Sequence, residues 1–62
     1  MISYQEIQVL FQLIQSLDIS VARINESVSL KSQKDFEMAK AQALDIQKKI
    51  KEEVEKIKKN GN

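Results

Sequence analysis

From Ile7 to Val28 an apolar residue follows every step of three and then four positions: Ile7, Leu10, Ile14, Leu17, Val21, Ile24 and Val28. This rhythm is that of one side of an α-helix held through three heptads, and it excludes the alternation of a strand. No proline occurs in the chain, and the one glycine stands next to its last residue, so nothing along the seam breaks a helix. Ile2, Val9 and Leu13 widen the apolar stripe on one flank, and Tyr4, Phe11 and Ala22 widen it on the other. The remaining positions carry Gln5, Gln8, Gln12, Gln15, Arg23 and Glu26. A helix with so broad an apolar surface needs cover on more than one side.

The second half carries a narrower stripe: Phe36, Ala39, Ala43, Ile46, Ile50, Val54 and Ile57. Charges pair around it at helical spacing, Asp45 with Lys49, Glu52 with Lys56 and Glu55 with Lys59. Each such pair contributes about 0.3 kcal/mol, which favours the helix without holding a fold together. Between the stripes lies a serine-rich stretch in which Ser32 is placed to cap a second helix by accepting from the amide of Asp35.

Folding the chain back near Ser32 sets Val28 beside Phe36, Ile24 beside Ala39 and Val21 beside Ala43. The layers continue as Leu17 with Ile46, Ile14 with Ile50, Leu10 with Val54 and Ile7 with Ile57. The two stripes start and stop together, with a link of ordinary helix–helix length between them. The expectation is an all-α fold: one domain over residues 1–62, a two-helix antiparallel hairpin of coiled-coil type. Helix 1 is expected at about 3–28, a turn at about 29–33, helix 2 at about 33–59 and a frayed tail at 60–62. A single rod of about 85 Å is the alternative.

A hairpin of 62 residues without cysteine or a metal site has little core of its own. Covering one seam of helix 1 leaves apolar residues over, and the economical solution is a homodimer in which two hairpins close into a four-helix bundle. Ile7, Val9, Leu10, Phe11, Leu13, Ile14, Leu17, Val21 and Ile24 are the residues expected to carry self-association or the binding of a protein partner.

Chemistry has little to work with. With no histidine or cysteine, zinc and haem sites and histidine-based triads lose their ligands, and no calcium-loop spacing appears. Glu52, Glu53 and Glu55 lie among lysines, where a carboxylate ionises in the ordinary way, and a hairpin of this size offers no concave pocket to retune one. Gln15-Ser16-Leu17-Asp18 resembles the serine-to-aspartate motif of small sporulation phosphatases, but Ser16 and Asp18 stand two apart and cannot share a helix face. The expectation is a non-catalytic protein with no cofactor and no metal.

The net charge of +1 divides into −1 over residues 1–31 and +2 over residues 32–62. Length and the hairpin-dimer plan resemble the plasmid copy-number regulators that bind paired RNA loops. The resemblance rests on architecture, and it implies nucleic-acid binding through helix 1; here that face carries glutamines and Arg23. The alternative function is therefore a nucleic-acid-binding regulator using Lys48, Lys49, Lys51, Lys56, Lys58 and Lys59 on phosphates. Interleaved glutamates oppose that role, and no aromatic residue stands near these lysines to stack on bases.

A membrane partner is not expected, because the run from Ile7 to Leu17 is broken by Gln8, Gln12 and Gln15. The first basic residue is Arg23, which reads against a secretory leader, so the expected location is the cytoplasm. In style the chain is like small phage or mobile-element products: a cytoplasmic, homodimeric interaction or regulatory module.

Overall fold

The computed structural model describes residues 3–60, and within them the chain forms two helices, α1 (Tyr4–Ser29) and α2 (Gln33–Asn60). They pack side by side as a hairpin with extents of 47 × 16 × 10 Å, so the chain is folded back and is not a rod. Of the tail expected at 60–62, Asn60 is the last residue of α2, and the two residues after it lie outside the described residues, as does Ile2.

Both ends of α1 are closed by specific chemistry. At the start, the Ser3 hydroxyl accepts from the Glu6 amide at 3.1 Å, and the Glu6 carboxylate accepts from the Ser3 amide at 3.0 Å. This capping box satisfies two donors that the first turn would otherwise leave open. At the far end, the Ser32 amide donates to the Ser27 carbonyl at 2.9 Å, and the Lys31 amide donates to that of Val28 at 3.1 Å. These two bonds form a Schellman motif with Lys31 in the left-handed position, at φ 57°. Glycine is the usual occupant there, and a side chain carries a steric cost.

Ser32 serves both helices. Its backbone closes α1, while its hydroxyl accepts from the Asp35 amide at 3.3 Å and its carbonyl takes the Phe36 amide at 3.0 Å. The link between the helices is thus only Leu30, Lys31 and Ser32. Asp35 in the first turn of α2 and Lys58 and Lys59 in its last turn both suit the helix dipole.

The stripe of α2 faces α1 as its spacing predicts. Ala39 and Ile46 are buried, and Phe36, Ala43, Ile50, Val54 and Ile57 are half-buried. On α1 the contact line differs from the expected seam. Leu10, Leu13, Leu17 and Ile24 are half-buried, Ser20 and Ser27 are fully buried, and Ile7, Ile14, Val21 and Val28 are exposed. The layers drawn from Ile7, Ile14, Val21 and Val28 are therefore corrected: α1 is turned about 60° on its axis, so that each of these residues yields to its predecessor or to a neighbour on the same flank.

Two serines can occupy an apolar seam because neither hydroxyl needs a partner across it. Ser20 Oγ donates to the Ser16 carbonyl at 3.0 Å, and Ser27 Oγ donates to the Ile24 carbonyl at 2.7 Å. What remains to face α2 is little larger than an alanine. Ala39 and Ala43 lie opposite, and this combination lets the two backbones approach near the turn.

Candidate interaction surface

The rotation of α1 sorts the hairpin into two unlike sides. On one side stand Tyr4, Ile7, Phe11, Ile14, Val21 and Val28, all exposed, with Phe11 at 59% and Ile14 at 47% of its full accessibility. Their positions step 3, 4, 3 along 4, 7, 11 and 14, and the same rhythm carries on through Asp18, Val21, Asn25 and Val28. These eight residues make a second heptad seam, centred about 110° round the helix from the line that meets α2. Val28 and Phe36 line one shallow groove at the turn end, so the apolar surface continues onto α2 there.

The opposite side mixes polar groups with the exposed Leu30 and Met38. Arg23 Nη1 donates to Gln42 Oε1 at 3.2 Å and ties the helices together. Around that bond Glu26, Leu30, Asp35 and Met38 line an open groove. The glutamines of α1 are exposed on the back of the helix, where Gln8 Nε2 donates to the Tyr4 hydroxyl at 3.2 Å.

The residues expected to form an interface are thus divided between two surfaces. Leu10, Leu13, Leu17 and Ile24 turn toward α2 and serve the hairpin, while Ile7, Phe11, Ile14 and Val21 remain free on its apolar side. Val9 is exposed near the polar edge of the contact line, apart from the second seam. Tyr4 and Val28 belong to the exposed group as well. Heptad counting from Tyr4 finds them once Ile7 and Ile14 are known to point outward.

The lysines of α2 do not gather into one basic surface. Lys48, Lys51, Lys56 and Lys59 share a shallow depression with Glu52 and Glu55, so charges of both signs alternate along it. Lys49 pairs with Asp45 at 3.2 Å. Lys56 pairs with Glu53 at 3.5 Å, three residues back, in place of Glu52. Lys58 is exposed in the last turn. Among the described residues no group of three acidic side chains is gathered where a metal ion could sit.

The fold shifts the ionisation of Glu6. Its carboxyl is held below the usual carboxylate range, first by the Ser3 amide, then by the Ser3 hydroxyl, with a smaller attraction from Lys56 on α2. This is cap chemistry, in a place with no cavity to bind a substrate.

By length and composition α1 is also apolar enough to cross a bilayer. The back of the helix, however, carries Gln5, Gln8, Gln12 and Gln15, with Ile19 and Leu30 as its exposed apolar residues. No protein-family model matches the chain, and no curated protein or solved structure matches it significantly.

Proposed function

We propose that this protein is a non-catalytic interaction module that self-associates through the outer seam of α1, two hairpins closing into a four-helix bundle. The observation that carries the reading is the row of six large apolar side chains, Tyr4, Ile7, Phe11, Ile14, Val21 and Val28, exposed at heptad spacing. Together they offer roughly 700 Å² of side-chain surface per protomer, close to the ~800 Å² that each partner buries in a standard interface.

Two further features support it. Among the described residues only Ala39 and Ile46 are fully buried apolar side chains, a small core for a chain of this length. The angle of about 110° between the two seams of α1 is near the right angle between neighbours in a four-helix bundle. A twofold axis perpendicular to the helices then sets α1 against its copy, antiparallel, with apolar surface meeting apolar surface. The charged outer faces of α2 and the glutamines of α1 stay in water, free to meet a protein partner. The phosphate-binding alternative gains no support from an α2 surface on which lysines alternate with glutamates.

Light scattering over a hundredfold concentration range, with circular dichroism on the same samples, tests the reading. The expected result is a mass of about 14 kDa, twice the 7.1 kDa chain, that gives way to monomer only on dilution. Phe11→Glu should abolish the dimer. A wild-type chain that stays monomeric at every concentration would overturn the reading.

A further inference from the structure

The outer seam of α1 is apolar at six of its eight positions, and its centre is not. Asp18 stands there, between Ile14 and Val21, one heptad before Asn25 at the same register. Its neighbours at three and four residues along the helix are Ile14, Gln15, Val21 and Ala22, none of which ionises. Asp18 enters no ion pair and no side-chain hydrogen bond among the described residues. From α2, the ionisable groups on the apolar side nearest the height of Asp18 are Lys40 and Lys51, each five or six residues along the helix, about 8 Å, with Lys58 on the same side one heptad beyond Lys51. Asp18 itself lies on the part of α1 turned away from α2, and α1 carries no lysine or arginine in its outer seam.

We propose that Asp18 is a charge gate on self-association: its negative charge, without a counter-ion in the seam, holds the dimer weak, and neutralising that charge tightens it. This rests on the self-association reading and adds a regulation to the same surface. Closing α1 on its copy takes two Asp18 side chains out of water among isoleucines and valines. An ionised carboxylate resists that transfer far more than a neutral group does. A second copy brings the same seam, and so a second Asp18 and no cation within the seam; its Lys40 and Lys51 come at the flank of the interface, as those of the first copy do. Asn25 can meet its burial with hydrogen bonds in either direction, whereas an ionised Asp18 can only accept. The dimer is therefore favoured by whatever removes the charge.

The test compares the wild type with Asp18→Asn and Asp18→Lys by sedimentation over a dilution series at pH 7. At pH 7, Asp18→Asn should dimerise about tenfold more tightly than the wild type, and Asp18→Lys no more tightly than the wild type. An Asp18→Asn dimer equal to or weaker than the wild type at pH 7 would overturn the gate, because it would mean that Asp18 stays wet or finds a cation. Monomers throughout, in all three proteins, would remove the self-association reading and the gate with it.

Discussion

The two helices are nearly the same length, 26 and 28 residues, yet they solve the problem of water contact in opposite ways. Four residues of α1 are charged, against fourteen of α2. α2 has one apolar stripe, which α1 covers, and its outer surface is laced with lysines and acids, with Met38 and Leu44 as the large apolar residues left exposed there. α1 has two apolar seams, of which α2 can cover one. A helix of the first kind is complete within a hairpin; a helix of the second kind is not. The contrast places the unfinished part of the molecule on α1 and lets each helix be tested against the other.

The largest effect should come from charging the outer seam of α1. Ile14→Glu should weaken the dimer by more than about a hundredfold, near 3 kcal/mol, read as a shift of the monomer–dimer midpoint in sedimentation. Replacing Lys58 and Lys59 with glutamine, at matched exposure on α2, should leave the midpoint where it was. Equal responses from both helices would break the comparison.

The contact line between the helices comes next. Ser20, 1% exposed, has no room beside it for a larger side chain. Ser20→Leu should lower hairpin stability by about 1–3 kcal/mol through overpacking, whereas Ser20→Ala should stay within about 1 kcal/mol of the wild type. Thermal unfolding followed by circular dichroism distinguishes them. A stabilised leucine variant would mean that α1 presents its Ile14 side to α2 after all.

Smaller effects belong to the helix ends. Lys31→Gly should stabilise the hairpin by about 1 kcal/mol, since glycine meets the left-handed backbone without the side-chain penalty. Ser3→Ala should cost about 1 kcal/mol by removing the N-cap acceptor, again read by thermal unfolding.

The smallest effect is one of pH. Glu6 ionises at lower pH in the folded chain than in the unfolded one, so its contribution is complete above the ordinary carboxylate range and disappears as pH falls through its lowered value. Acid titration of helicity should show this as a loss confined to the N-terminal turn, absent in Glu6→Gln.

Much of this architecture is legible in the residues alone. The rhythm of three and four steps specifies two helices, the Ser32–Asp35 spacing marks the start of α2, and the surplus of apolar residues on α1 shows that one neighbour cannot cover it. The capping box of Ser3 and Glu6 has the spacing of such a box and is readable in the same way, although it lies outside the long apolar run that draws attention first.

The tertiary structure decides which seam of α1 meets α2. Hydropathy alone ranks the line through Ile7, Ile14, Val21 and Val28 above the one through Leu13, Ser20 and Ser27, because it counts serine as polar. Packing ranks them the other way. Both buried hydroxyls are satisfied within their own helix, by the carbonyls of Ser16 and Ile24, and the small side chains left over fit against Ala39 and Ala43. The rotation of about 60° that follows turns four isoleucines and valines outward and brings Asp18 to the centre of the exposed seam. A periodic pattern identifies a helix and the breadth of its apolar surface. The choice between two overlapping faces depends on shape and on hydrogen bonds closed locally, and these appear only when the second helix is in place.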